Sequence, residues 1–139
     1  MCLVACSKGK ESSRKPSWKL YDSTLFEKSW AAASLVGDPY VMSAKHGIVS
    51  VDDRLDPYDE TLKTATNKEK IEWAENLNIP SHYDTFVLFG GRDYVVPIVG
   101  TYGDEYEIVD VYEGCSGNGK QMAKAGEIVE TIITGGEYL

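Results

Sequence analysis

Short apolar runs alternate with longer amphipathic stretches along the chain. Residues 2–6, 39–43 and 83–89 are nearly continuous apolar runs, which is typical of strands buried on both faces of a sheet. Residues 107–112 alternate apolar and polar positions, so this strand is predicted to lie nearer a sheet edge. Residues 47–55 hold a shorter apolar segment and are a weaker strand candidate.

Apolar residues recur at helical spacing in four other stretches. The predicted helices span residues 24–35, 67–77, 93–99 and 120–134. Ser23 is positioned to cap the first of them, whereas Pro97 weakens the third. The polar stretch 11–20, which contains Pro16, is predicted to be a loop.

Strand and helix alternate four times in a chain of 139 residues, which is about the size of one domain. Such alternation favours a fold in which helices cover both faces of a mostly parallel sheet. The predicted architecture is therefore a single three-layer α/β domain whose sheet has four or more strands.

Composition narrows the classes of function. The chain is 42% hydrophobic and 26% charged, and its apolar runs are shorter than the roughly 20 residues of a membrane span. Its apolar start is too short for a secretion signal, so a cytoplasmic protein without a membrane partner is expected. The chain has three cysteines, none of them in a Cys-x-x-Cys pair, and only two histidines. This composition argues against a zinc site. There is no Walker A loop and no Gly-x-Gly-x-x-Gly fingerprint after the first strand, so no cofactor is expected.

The formal net charge of −8 argues against extensive, sequence-independent binding to duplex DNA, because such binding depends on many cationic contacts with phosphates. The first 28 residues are locally basic, with six lysine and arginine side chains against three acidic ones. A nucleotide or a single-stranded nucleic acid is therefore the compatible anionic partner. The sequence gives no prediction of the oligomeric state.

Small, polar and cationic residues follow each of the four main predicted strands. Because the carboxyl ends of parallel strands meet at one edge of a sheet, we expect these residues to surround a common binding site. Glycines at this edge would let backbone N–H groups approach an oxyanion closely. The candidate binding residues are Cys6, Ser7, Lys8, Ser23, Ser43, Lys45, Gly90, Tyr94, Ser116 and Gly117.

Lys8 and Lys45, each just past a strand, are candidates for contacts with an anion. Lys45 and its neighbour His46 are also candidate catalytic residues, with His46 as a general acid or base. The alternatives are solvated lysines and a histidine hydrogen-bonded within a turn. Cys6 precedes a lysine, which favours a reactive thiol, although a cysteine at the end of a strand is more often part of the core.

A loop rich in carboxylates contains Asp56, Tyr58 and Asp59. Either carboxylate is a candidate to position water or to stabilise a cationic transition state, as Asp and Glu do where glycosidic bonds are cleaved. Tyr58 and Tyr21 are candidates to stack against a nucleobase. The alternatives are a solvated loop and aromatic side chains that belong to the core.

Four segments carry a resemblance to a known family. They are Leu3-Val4-Ala5-Cys6-Ser7-Lys8, Leu20-Tyr21-x-Ser23-x-Leu25-Phe26, Met42-Ser43-Ala44-Lys45-His46-Gly47-Ile48-Val49 and Pro57-Tyr58-Asp59-x-Thr61-Leu62. Together they resemble the DUF6884 family of small prokaryotic and viral proteins, a domain of unknown function. The chain is also faintly similar to YaaA-type and uracil-DNA-glycosylase-like proteins, whose Asp-Pro-Tyr motif resembles Asp56-Pro57-Tyr58. That similarity implies a parallel sheet of four strands with the site at its carboxyl edge.

The favoured hypothesis is hydrolysis or transfer at the N-glycosidic bond of a nucleobase. In it Lys8 and Lys45 hold phosphate, a tyrosine stacks on the base, and Asp59 or Asp56 positions water. A first alternative is a non-catalytic module that captures a nucleotide or phosphorylated metabolite at the same edge. A second is a virus-encoded accessory protein whose acidic face mimics nucleic acid. The acidic residues of that face are Asp52, Asp53, Asp104 and Glu105.

Overall fold

A computed structural model describes residues 1–6, 14–21 and 23–138 of the chain. Seven strands, five α-helices and one 3₁₀ turn occur in the described part. In chain order they are β1 (Cys2–Ala5), β2 (Lys15–Pro16), α1 (Ser17–Leu20), α2 (Thr24–Val36), β3 (Pro39–Ser43), β4 (Gly47–Val49), β5 (Arg54–Leu55), the 3₁₀ turn (Leu62–Thr64), α3 (Asn67–Glu75), β6 (Thr85–Phe89), α4 (Arg92–Tyr102), β7 (Glu107–Asp110) and α5 (Gly117–Ile133).

The main sheet has five strands in the order β4-β3-β1-β6-β7. Every neighbouring pair is parallel except β3 and β4, and Val4 of the central strand pairs with Val41 on one side and Phe89 on the other. The predicted α/β class with a mostly parallel sheet is confirmed. Strand β7 lies at one edge, as its alternating pattern predicts.

Two hydrophobic cores lie on opposite faces of this sheet because successive strand side chains point in opposite directions. Cys2 and Val4 of β1 pack into the core that includes α2 and α5. Leu3, between them, packs into the core that includes α4, with Trp73 of α3 against it. Helices therefore cover both faces, which explains why the central strands are apolar at every position.

The order of the strands creates a switch point beside β1. The chain passes from β1 to β3 on one side and then crosses to β6 on the other side of β1. The helix of the first connection, α2, packs on α5, whereas that of the second, α3, packs on α4. In open α/β sheets such a reversal leaves a crevice at the carboxyl ends of the strands, where ligands bind.

The prediction of a loop over residues 11–20 is wrong for residues 15–20. Strand β2 pairs with β5 in a separate two-stranded sheet, and α1 follows it directly. The hydroxyl of Ser17 is fully buried and donates hydrogen bonds to the carbonyls of Ser50 (2.7 Å) and Val51 (3.1 Å). These long-range contacts, which apolar periodicity does not reveal, give a polar stretch its structure.

The largest other departures from the predictions occur in three segments. Residues 47–55 form two short strands, β4 and β5, in different sheets. Helix α4 extends from Arg92 to Tyr102 and continues through Pro97, although proline lacks the N–H that would bond to the Asp93 carbonyl. Helix α5 begins at Gly117, three residues before the predicted start. Among the described residues, no helix combines the length and apolar character that crossing a membrane requires.

Candidate functional site

A cavity of about 500 Å³ opens at the carboxyl ends of β1 and β6, which is the switch point of the sheet. Ala5 and Cys6 end the first of these strands, and Phe89, Gly90 and Gly91 end the second. The remaining described residues that line it are Ser23, Thr24, Leu25, Phe26, Ser29, Thr61, Lys63, Asp93, Tyr94, Tyr112, Asn118, Gln121 and Met122. We call this space the carboxyl-edge cavity.

One wall of the carboxyl-edge cavity is made by the first turns of α2 and α5. Thr24 and Asn118 lie in these turns, and Ser23 caps α2 because its Oγ accepts a hydrogen bond of 2.9 Å from the Phe26 N–H. The N-terminus of a helix carries a partial positive charge and N–H groups without partners inside the helix. The described lining residues of this wall include no acidic side chain. The wall is therefore suited to an anionic group.

The floor of the cavity contains a buried pair of hydroxyl groups. Ser29 of α2 and Tyr112, which follows β7, are 1% and 4% exposed, and their oxygens are 2.5 Å apart. Burial raises the pKa of Tyr112 to about 12, so its phenol stays protonated at neutral pH. The ring of Tyr112 also meets the ring of Phe89 edge-on, with centroids 5.9 Å apart. The floor is thus both aromatic and hydrogen-bonded.

The opposite wall comes from the 3₁₀ turn and from α4, and it carries the charged groups. Lys63 is exposed, and Asp93 forms an ion pair of 2.8 Å with Lys70 of α3. The hydroxyl of Tyr94 lies 3.0 Å from the Cys6 thiol. Burial, reinforced by this neighbouring thiol, raises the pKa of Tyr94 above its ordinary value. Tyr94 is therefore a neutral hydrogen-bonding group rather than a base.

A second cluster of hydroxyl groups lies behind the end of β3. The Tyr58 oxygen is 2.6 Å from Ser43 Oγ and 2.5 Å from the Tyr21 oxygen, and all three residues are buried. Burial raises the pKa of Tyr58 and of Tyr21 above the ordinary range. Ser43 Oγ also accepts a 3.0 Å hydrogen bond from the His46 N–H, and its carbonyl accepts one of 2.9 Å from Trp73. This cluster ties the end of β3 to α1 and to the loop that contains Tyr58.

The structure brings four of the sequence-predicted binding residues together in the carboxyl-edge cavity: Cys6, Ser23, Gly90 and Tyr94. Ser43, Tyr21 and Tyr58 belong to the buried hydroxyl cluster, in which the two phenols bond to side chains. Ser116 and Gly117 are exposed where α5 begins, next to Asn118 of the lining. The predictions for Ser7 and Lys8 lie outside the described residues.

The four candidate catalytic residues occupy a different place. Lys45, His46, Asp56 and Asp59 are all exposed, and none is among the described residues that line the cavity. The His46 ring lies edge-on to Tyr58, with centroids 5.3 Å apart, so this loop packs on the buried hydroxyl cluster.

Sequence reasoning did not select several lining residues, notably Ser29, Asp93, Tyr112, Asn118 and Gln121. Two of them carried a readable signal. Ser29 is a polar residue on the apolar side of a predicted helix, and Asp93 lies four residues past the end of a clear strand. Tyr112 follows the end of β7, and Asn118 and Gln121 lie where α5 begins. The predicted boundaries of these two elements are a few residues away from the observed ones.

A sequence profile of the DUF6884 family, described as a family of unknown function, matches residues 1–125 of this chain. No curated protein matches the chain in sequence.

Proposed function

Because this chain belongs to the DUF6884 family, whose function is unknown, we propose a function from its site alone. The protein binds a nucleotide, or a closely related phosphorylated metabolite, in the carboxyl-edge cavity. The observation that carries this proposal is the position of the cavity, at the switch point of the sheet and between the N-termini of helices on both of its faces.

The size and lining of the cavity support a small ligand. Its volume of about 500 Å³ falls within the range of ligand pockets, which extends from roughly 300 to 1,000 Å³. Such pockets combine apolar and aromatic walls with a few polar groups that fix orientation. Phe26, Phe89 and Tyr112 supply the aromatic part, while Ser23, Asn118 and others supply the polar part.

The wall formed by α2 and α5 is the proposed phosphate site. An anion at a helix N-terminus accepts hydrogen bonds from backbone N–H groups and gains from the helix dipole. The exposed amide of Asn118 and the half-buried amide of Gln121 add side-chain donors beside these N–H groups. The aromatic floor then contacts the base. This arrangement is compatible with a net charge of −8, because the phosphate would interact mainly with the nearby helix dipoles and not with the average charge of the protein surface.

Cleavage or transfer at the N-glycosidic bond is the catalytic form of this proposal. That chemistry needs a group that holds water, or a nucleophile, beside the anomeric carbon. Asp56 and Asp59 are exposed and are absent from the described lining, so the geometry supports binding more strongly than turnover at these two carboxylates. Turnover is therefore measured as a separate arm of the test.

Isothermal titration with nucleoside 5′-monophosphates and with the matching nucleosides tests the proposal. We expect the nucleotides to bind more tightly than the nucleosides. Asn118→Asp places a carboxylate at the proposed phosphate site, and two like charges about 5 Å apart repel by roughly 3 kcal/mol at an effective dielectric constant of 20. Since solvent screens part of this repulsion, we expect nucleotide affinity to fall at least about tenfold, with little effect on the nucleoside.

Asn76→Asp is the matched control. Asn76 is exposed where α3 ends and lines neither the carboxyl-edge cavity nor the groove that contains Lys70, so the same charge is added away from the proposed site. Both variants should fold, because both positions are exposed. If wild-type protein binds no nucleotide at millimolar concentration, or Asn118→Asp and Asn76→Asp bind equally, the proposal is wrong. Chromatography of the same mixtures for free base detects turnover.

A further inference from the structure

A carboxylate lies in the cavity to which we assign a phosphate. Asp93 is the one acidic residue among the described residues that line the carboxyl-edge cavity. It lies in the first turn of α4, on the wall across from the first turns of α2 and α5. Its side chain is 38% exposed, so it remains accessible to a ligand. This placement calls for a role other than binding phosphate.

Lys70 contacts Asp93 from outside the carboxyl-edge cavity. Its ammonium group lies 2.8 Å from Asp93 Oδ1, and the lysine side chain is only 18% exposed. Lys70 lines a neighbouring groove of about 550 Å³ between α3 and α4, whereas Asp93 lines both spaces. The ion pair therefore fixes the direction of the carboxylate. It also offsets the negative charge that would otherwise repel a phosphate in the same cavity.

An ionised carboxylate only accepts hydrogen bonds, so the part of the ligand that faces it must donate them. In a nucleotide, the neighbouring hydroxyl groups of the ribose are such donors, and one carboxylate can accept from both. The ribose lies between the phosphate and the base, and Asp93 lines the same cavity as the proposed phosphate site and the aromatic floor.

We infer that Asp93, positioned by Lys70, accepts hydrogen bonds from the ribose hydroxyl groups and makes the cavity selective for ribonucleotides. This inference rests on the proposed nucleotide function and names the ligand class within it. Hydrogen bonds to a charged group are stronger than those between neutral groups. Loss of both hydroxyl groups should therefore weaken binding at least about tenfold.

Titration of wild-type protein with a ribonucleotide and with its 2′-deoxy and 2′,3′-dideoxy forms tests the inference without any substitution. We expect the dideoxy form to bind at least about tenfold more weakly than the ribonucleotide. Equal binding of all three forms would overturn the inference and leave the proposed function intact. A preference that follows an amino group on the base, with no dependence on the sugar, would also overturn it.

Two variants separate ligand recognition from a structural role of the ion pair. Asp93→Asn keeps the shape of the side chain but removes its charge, and we expect the preference for ribose to fall to about threefold or less. Lys70→Met keeps the carboxylate but removes the group that positions it, so the preference for ribose should weaken less than in Asp93→Asn while overall nucleotide affinity also decreases. If both variants lose thermal stability equally and both retain the wild-type preference, Asp93 is only a structural partner of Lys70. Failure of all nucleotides to bind wild-type protein would instead refute the proposed function itself.

Discussion

The hydrogen bond between the buried hydroxyl groups of Ser29 and Tyr112 is predicted to stabilise the floor of the cavity, and substitution of either residue measures its contribution to the free energy of unfolding. Replacement of Tyr112 by Phe removes one hydroxyl and leaves that of Ser29, which is 1% exposed, without the tyrosine partner 2.5 Å away. Replacement of Ser29 by Ala does the same to Tyr112. A buried polar group that loses its partner costs about 1–3 kcal/mol. We therefore expect each single variant to lower the free energy of unfolding by that amount.

The double variant Ser29→Ala/Tyr112→Phe should behave differently from the sum of its parts. When both partners of a buried hydrogen bond become apolar and keep their shape, the change is nearly neutral, because no polar group is left unpaired. We expect the double variant to lose less than about 1 kcal/mol. The interaction energy from the double-mutant cycle should then be at least about 1 kcal/mol in favour of the pair.

Urea unfolding at neutral pH measures these free energies, and an unchanged dependence on urea shows that only stability has altered. Ser34→Ala is the matched control for helix propensity, because Ser34 is exposed on the same helix, α2. Alanine favours helix, so this control should be neutral or slightly stabilising. If the losses of the two single variants simply add in the double variant, the hydrogen bond contributes nothing and the account of the cavity floor is wrong.

Two further predictions concern the strand end at the cavity and the effect of pH. A side chain at Gly90 would place Cβ 3.0 Å from the Ala5 Cβ and 3.1 Å from the Met42 Cε, whereas Gly91 has no such neighbour within 4 Å. Gly90→Ala should therefore lower stability by about 1–3 kcal/mol and Gly91→Ala by far less, as thermal unfolding will show; equal effects would contradict this packing. Burial raises the pKa of Tyr112 from 10.0 to about 12. The protonated phenol therefore contributes fully to the free energy of unfolding below about pH 10, and this contribution is lost as pH rises towards 12. Unfolding free energies at pH 8 and pH 11 should show this decline, and wild-type protein should lose more than Tyr112→Phe.

The class of fold follows from the sequence because the central strands lie between two helical layers. Because they are buried on both faces, they are apolar at nearly every position, and this pattern can be recognised in the sequence of each strand without knowing which strands pair with it. The same reasoning misses β2 and does not separate β5 from β4, because β2 and β5 have only two residues each. Strands of this length have no measurable periodicity, and their pairing depends on contacts across about 40 positions of the chain.

The site is only partly readable from the sequence, for a related reason. Cys6, Gly90 and Tyr94 were found because they follow the ends of predicted strands, and those ends meet at one edge in any parallel sheet. Asn118 and Gln121 reach the cavity because α5 begins at Gly117, and the start of a helix is poorly defined by apolar spacing alone. Lys70 contacts Asp93 only because α3 packs on α4, a relation that single-sequence patterns do not contain.

The buried phenols restrict the chemistry that the edge of the sheet can perform. Burial raises the pKa of Tyr58, Tyr94 and Tyr112, so near neutral pH each stays protonated and serves as a hydrogen-bonding group. None of the three is then suited to remove a proton from water or to attack a sugar. If the protein does process its ligand, the described cavity offers one carboxylate for that work, Asp93. The same Asp93→Asn variant that tests ribose recognition would then abolish release of free base, whereas Asp59→Asn, at an exposed position outside the described lining, would not.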